Sequence, residues 1–481
     1  MKNIVSWAFA CCCSSLLVAQ IPALDDAQKK ATIEELSKKM EAVYVFPEVA
    51  KSCSERLQSQ LKSGDFAAAA DWAAFAELLT TSLQAVSKDK HIRVRLTHAA
   101  RQASDKNKSA EKTPAPTTAE TVDHIAAIAD YRMDLERRAG GFSEAKIMAN
   151  NIGYLELRSF AGWDFGVAAA DAYMSLLKGC DALIIDLRRN GGGSPRMVQY
   201  LCSYFFDERI HLNSLYWREG NRTEEFWTVP VKGKVLGKLP LFILTSDYTF
   251  SGAEEFCYNM QTRKRATIVG QTTGGGANPG GLVPVHEALE VFIPNGRAIN
   301  PITKTNWEGT GVRPDIATSS EESLTKAIEL ATEAARVYRD SKSAEHNALF
   351  QEVRTPLKAL QKTPTDTQAE KQLLAAFQKA IDKGVMDEEF INFLGYEYLH
   401  NGDSQSAEQV FKANTLLFPK SANAQDSYGG ALLQSGKHRQ AVQRYEKAVL
   451  MATEQKDPLL DIFKENLKKA KAEAKTAASK P

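Results

Sequence analysis

Cysteine is scarce. The 481 residues hold 7, three of them adjacent at Cys11, Cys12 and Cys13. That is too few for a disulfide-built scaffold. The other four, Cys53, Cys180, Cys202 and Cys257, show no C-x-x-C spacing, which argues against a structural zinc or redox motif. They read as buried thiols or as one pair, and both stay open. A dominant charge is missing too: 60 Lys and Arg face 59 Asp and Glu, a net of +1. A nucleic-acid partner calls for a clustered basic excess, so that class is disfavoured. The 8 His are scattered without ligand spacing, so no metal and no organic cofactor is implied. There is no G-x-S-x-G elbow and no H-E-x-x-H motif. Long apolar runs are limited to Ile4–Val18, too short to span a bilayer, so no membrane span is expected. With Lys2 before it and Leu17-Val18-Ala19 after it, residues 1–19 read as a secretory signal peptide. An exported protein, periplasmic or extracellular, is the expectation.

What is present fits a globular chain of about three domains: 43% hydrophobic and 25% charged residues. Residues 25–98 show helical spacing, as in Ile33, Leu36, Met40 and Val43, and read as a helical N-terminal domain. Residues 99–125 are rich in Lys, Ser, Thr, Ala and Pro and read as a linker. Residues 126–340 alternate short apolar runs with helical stretches, which marks an α/β core with buried strands. Examples are Ile152–Leu157, Ala182–Ile185 and Leu241–Leu244. A helix near Glu321–Tyr338 closes this part, and residues 341–385 read as linker and helix. Residues 386–472 repeat at an offset of 34: Gly395 with Gly429, Gly402 with Gly436, Ala407 with Ala441, Phe411 with Tyr445. That is the tetratricopeptide pattern of paired helices, which calls for a protein partner. Residues 473–481 form a Lys/Ala-rich tail.

Four segments offer chemistry. Ser251 follows an apolar strand and precedes a helix whose apolar positions are Ala253, Phe256 and Met260. A hydroxyl there meets free backbone N–H groups and the positive end of a helix dipole, which suits a nucleophile. It equally suits an N-cap, with Glu254 closing a capping box. Asp186–Gly193 follows the strand Ala182–Ile185. Its glycines turn N–H groups outward, for an oxyanion or merely for a tight turn. It lacks the ending of a phosphate loop. His91 opens a strand and has the near-neutral chemistry of a general base, or is an ordinary histidine. Glu308, beside Trp307 in a Gly-rich turn, is able to orient an imidazole, or is a loop acid.

Taken jointly, these segments resemble the tail-specific (C-terminal-processing) serine peptidase family, in the branch of tricorn protease and the interphotoreceptor retinoid-binding protein modules. The matching pieces are Tyr44–Pro47, Asp89–His91, Asn151–Leu155, Asp186–Gly193, Thr249–Phe256, Gly270–Gly275 and Asn300–Ile316, in the same order. The resemblance implies a core similar to the crotonase/Clp-like ββα spiral. It implies Ser251 as nucleophile, His91 as base and Glu308 as the group holding the imidazole. The Gly252 amide and an amide of Gly192 or Gly193 would form the oxyanion hole. The Ser–Lys variant of the family is excluded, because Thr272–Asn278 contains no Lys. Lys90 stands where tricorn has a relay serine, so the link from His91 to Glu308 is direct, through water, or absent. The expected function is an exported serine peptidase acting on peptide or protein substrates. The alternatives are a non-catalytic module binding a hydrophobic, retinoid-like ligand, and a hydrolase of non-peptide esters or amides.

Overall fold

The computed structural model describes residues 23–101 and 124–478. The expected signal peptide and most of the expected linker lie outside those residues. The chain divides into two compact units, residues 1–338 and 339–481.

In the first unit, three helices come first: Asp26–Val43, Pro47–Ser63 and Trp72–Ser87. Asp25 and Asp71 cap the first and third, accepting from the N–H groups of Gln28 and Ala74. Strands β1 (Arg93–Leu96), β2 (Phe142–Met148), β3 (Ile152–Leu157), β4 (Ala182–Asp186), β5 (His211–Trp217) and β6 (Arg222–Trp227) follow. They are succeeded by β7 (Leu241–Thr245), β8 (Thr267–Gly270), β9 (Gly280–Pro284), β10 (Leu289–Pro294), β11 (Gly296–Ile299) and β12 (Ile316–Ala317).

The central sheet has the order β12-β8-β7-β4-β3-β2. All its pairs are parallel except β2 with β3. Every residue of β3, β4 and β7 is buried, as expected of strands covered on both faces. Alternation divides their side chains. Leu155, Leu157, Leu183, Ile185, Leu241 and Ile243 join one core. Ile152, Tyr154, Ala182, Ile184, Phe242 and Leu244 join the other, against Ala327, Ala331 and Ala335. Because β4 and β7 are parallel neighbours, the loops leaving their carboxyl ends lie side by side, where open α/β sheets bind ligands.

Two smaller sheets complete this unit, in the orders β1-β10-β9 and β11-β5-β6. The N-terminal helices bury Ile33, Leu36, Phe75 and Leu79 with Val94, Leu289, Val291 and Ile293. The strand that follows His91 is thereby built into a sheet with residues from far along the chain.

The sequence pattern ends a helix near Tyr338, whereas the helix runs from Ser320 to Lys362, through Pro356. Leu349, Val353, Leu357 and Leu360 are buried along it. Their helical spacing outweighs the polar composition that suggested a linker, and Pro356 forfeits one backbone hydrogen bond.

The second unit is helical: Thr367–Asp382, Glu388–His400, Ser404–Leu417, Ala422–Gln434, His438–Gln455 and Leu460–Ala478. The pair opening at Glu388 and Ser404 recurs 34 residues on, at Ala422 and His438. Gly395 meets the Phe411 ring and Gly429 the Tyr445 ring, where a β-carbon would intrude. Each glycine lets the aromatic of the following helix lie against the backbone of its partner. The four cysteines of the first unit, Cys53, Cys180, Cys202 and Cys257, are free and buried. No helix among the described residues is long and apolar enough to cross a membrane.

Candidate active site

Ser251 stands at the N-cap of the helix Gly252–Thr262, with φ 54° and ψ −120°. The capping residues Asp25 and Asp71 have ordinary extended angles, φ −123° and −145°. A positive φ at a non-glycine residue is sparsely populated, and such strain gathers at functional sites. Glu254 does make the return bond of a capping box, accepting from the Ser251 N–H at 2.8 Å. The same carboxyl also accepts from the N–H groups of Gly275 and Gly276, at 2.6 and 2.8 Å, and from the Thr273 hydroxyl. Glu254 therefore ties the strained serine to the loop Gly274–Ala277. Burial raises its pKa, and these donors oppose that shift.

The loop after β4 is locked to the loop after β7. The Thr249 hydroxyl donates to Leu187 O at 2.9 Å, the Ser246 hydroxyl to Arg188 O at 2.6 Å and the Phe250 N–H to Asn190 O at 3.1 Å. Buried Asn190 spans the turn, donating to Leu157 O at 2.9 Å and accepting from the Gly192 N–H at 2.8 Å. A β-carbon on Gly192 would lie 2.8 Å from Cβ of Ser251, so only glycine permits this approach. The Gly192 N–H is thus engaged. Those of Gly193 and Gly252 find no acceptor among the described residues. They are neighbours, since a β-carbon on Gly252 would sit 3.1 Å from Gly193 N. Asp186 has a structural part here. It takes a two-pronged contact from Arg188, at 3.0 and 2.6 Å, and the Tyr154 hydroxyl at 2.8 Å.

Ser251, Gly252, Gly193 and His91 line one cleft of about 620 Å³. The His91 ring packs against Phe250, centroids 4.6 Å apart, and near Phe292 at 5.8 Å. Its Nδ1 is buried and makes no hydrogen bond. Asp89 Oδ1 lies 3.6 Å from that nitrogen and accepts from the His91 N–H at 3.0 Å.

Glu308 stands behind the histidine rather than on the cleft wall. Its Oε2 accepts from the Ala277 N–H at 2.6 Å, while Oε1 is buried without a partner. Trp307 anchors the segment, donating from Nε1 to Gly276 O at 2.7 Å. One ligand atom each from Asp89, His91 and Glu308 lie within 4.8 Å of one another. Burial, then the negative charge of Asp89, push the Glu308 carboxyl up to about 8. Lys90 turns away from this group and donates from Nζ to Gly274 O at 2.7 Å.

The sequence-derived residues Ser251, His91, Gly252 and Gly193 thus meet in one cleft, with Glu308 behind. Asp89 is the residue that sequence reasoning passed over as a site group. Its signal was the Asp-x-His spacing, which sets a carboxyl two residues before the imidazole.

Residues 151–318 match peptidase family S41, and residues 18–131 match the N-terminal domain of that family in eukaryotic IRBP. The tail-specific protease of Haemophilus influenzae is 27% identical over 157 residues, 31% of this chain and 21% of that protein. The carboxy-terminal processing protease CtpB of Bacillus subtilis is 23% identical over 179 residues, 36% of this chain and 35% of that protein. The chain therefore spans between a fifth and about a third of the length of these relatives. Among solved structures, the photosystem II D1 C-terminal processing protease is 16% identical with a TM-score of 0.39, covering 64% of this chain and 98% of that one.

Proposed function

We propose that this protein, which carries a peptidase family S41 domain with that family's N-terminal domain before it, hydrolyses peptide bonds through an acyl-enzyme on Ser251. The Ser251 hydroxyl attacks the scissile carbonyl while His91 takes its proton. The carbonyl oxygen, now negative, receives hydrogen bonds from the N–H groups of Gly193 and Gly252. His91 then passes the proton to the leaving amine, and water repeats the sequence to release the acyl group. Asp89 and Glu308 act through His91, as groups that hold the imidazole. The single observation that carries this reading is the strained Ser251, set beside two unengaged amides in the cleft that His91 lines.

Export through the residue 1–19 segment belongs to the same proposal. So does the use of the repeated helix pairs, read as tetratricopeptide units, to hold a protein partner. The test is fluorophosphonate labelling of the full chain beside Ser251→Ala and His91→Ala. Labelling of the wild type that vanishes in the first and falls steeply in the second is expected. A folded wild type that takes no label refutes an activated serine.

A further inference from the structure

The cleft holds an acid that the proposed chemistry does not use. Glu255 lies one helical turn after Ser251, so the two share a helix face. Glu255 lines the same cleft and is only 5% exposed. A buried carboxyl ordinarily has a cationic partner or several donors, because burying a lone charge is costly. Among the described residues no Lys, Arg or His pairs with Glu255, and the groups that favour its charge are the neutral amides of Asn213 and Asn259. Both amides are fully buried, yet none of their four polar atoms closes a well-formed hydrogen bond. An unsatisfied buried polar cluster in a folded protein calls for an explanation, and a ligand group is one.

The wall above this cluster is graded. Asn213, Leu215 and Trp217 alternate along β5 and so share one face of the strand. Leu215 is paired with Ala298 on β11, and Phe226 on β6 is paired with Asn213. At the rim, Arg196 and Glu224 stand 3.8 Å apart. The sequence from rim to floor is therefore charged, then apolar and aromatic, then acidic and amide. A lysine or arginine side chain has that profile in reverse register: an apolar stem and a cationic tip.

Resting on the assignment of Ser251 as nucleophile, we propose that Glu255 is the floor of a specificity pocket. It takes the cationic side chain of a lysine or arginine flanking the scissile bond. The Asn213 and Asn259 amides lie beside the carboxyl that receives the cation and favour its charge. The site therefore selects peptides with a basic residue next to the bond that is cut.

Burial raises the Glu255 pKa to about 7, so its charge, and with it the selectivity, grows from pH 6 to pH 8. The other titratable or charged groups around it are Cys202, Cys257, Arg263 and His211, with Glu254 beside it in the chain and His91, Arg196 and Glu224 on the same cleft. Burial pushes both thiols up. Arg263 donates to His211 O, and the His211 ring contacts Asn213 O and the Ser214 hydroxyl.

The test uses the full chain and internally quenched peptides that differ at one position. Lys, Arg, norleucine or Glu is placed in turn on each side of the cleaved bond. We expect kcat/KM for Lys or Arg to exceed that for norleucine by roughly tenfold or more at pH 8. The ratio falls toward one at pH 6. Any pH effect on the shared catalytic steps is common to all peptides and cancels in the ratio. In Glu255→Gln the ratio falls to about one, the loss landing on the basic peptides. A wild type without basic preference overturns the pocket, as does a Glu255→Gln variant that keeps it. If that variant does not fold, the pH dependence of the wild-type ratio decides. If the wild type neither takes a fluorophosphonate label nor cleaves, the catalytic reading fails separately. Fluorescence anisotropy of the Lys and norleucine peptides then tests the pocket by itself, and equal binding overturns it.

Discussion

The Asp89 carboxyl stands 3.6 Å from Nδ1 of His91, and two residues hold it from behind. The Tyr44 hydroxyl and the Asn278 amide both donate to its Oδ2, at 3.2 and 2.9 Å. Only 1% of Asp89 is exposed. Its Oδ1 is thereby turned toward the buried Nδ1 edge of the imidazole. A small ring movement closes this distance to a hydrogen bond, and apo sites often have such contacts slightly open. Burial and the nearby Asp89 disfavour the charge of Glu308, behind the same ring.

Asp89→Asn removes the charge that favours a protonated imidazole. We expect kcat/KM to fall by about 10²- to 10⁴-fold. Steady-state hydrolysis checks this, alongside a melting curve, because Tyr44 and Asn278 lose an anionic acceptor. Activity within threefold of wild type (about 0.7 kcal/mol) in a folded variant excludes Asp89 from positioning His91.

Glu308→Gln separates stability from activity. The folded-state pKa of Glu308 rises from its ordinary 4.5 to about 8. Its neutral form is thus favoured by folding, and that contribution is complete below about 4.5 and lost as the pH rises through 8. Glutamine is neutral throughout and keeps an oxygen for the Ala277 N–H. The melting temperature of the variant relative to wild type should increase from pH 5 to pH 8.5. A constant difference across that range contradicts the raised pKa.

Gly276→Ala tests the seat of the histidine without touching a reacting atom. A β-carbon there would lie 2.6 Å from Cε1 of His91 and run into the Phe250 ring. The imidazole must shift, and we expect kcat/KM to fall by about a hundredfold or more. Overpacking adds about 1–3 kcal/mol of destabilisation. Ester hydrolysis and urea unfolding read the two effects separately.

In the repeated helices, Gly395→Ala and Gly429→Ala are expected to differ. A β-carbon at Gly395 would come 2.6 Å from the Phe411 ring, and one at Gly429 only 3.1 Å from the Tyr445 ring. Alanine gains about 1 kcal/mol of helix propensity at both positions. The first substitution should be net destabilising and the second near neutral, in urea unfolding followed by far-ultraviolet circular dichroism.

Much of this architecture was legible in the chain. The apolar runs at Ala182–Ile185 and Leu241–Leu244 are the adjacent strands β4 and β7, and the loops after them carry Gly193 and Ser251. The glycine and aromatic pairs at an offset of 34 fall on paired helices, because a missing side chain and a ring fill one another's space. Other features are invisible to local pattern. The pairing of β1 with β10 joins segments far apart in the chain, and nothing in Arg93–Leu96 names its partner. The positive φ of Ser251 has no signature in a sequence that also spells an N-cap. Asp89 acquires its place only when Tyr44 and Asn278 arrive from other elements. Glu255 falls outside the apolar spacing of Ala253, Phe256 and Met260, and the use proposed for its acid emerges only once the cleft is seen.

The division of the site over the chain also bears on its synthesis. His91 leads into β1, whose partner β10 ends at Pro294, and Glu308 follows later still. A ribosome that has released only the first 250 residues has therefore made the proposed base with neither its sheet nor its proposed nucleophile. On the proposed mechanism, hydrolytic activity arises late in translation, after Glu308 has emerged, and a chain truncated before that point is expected to be inert.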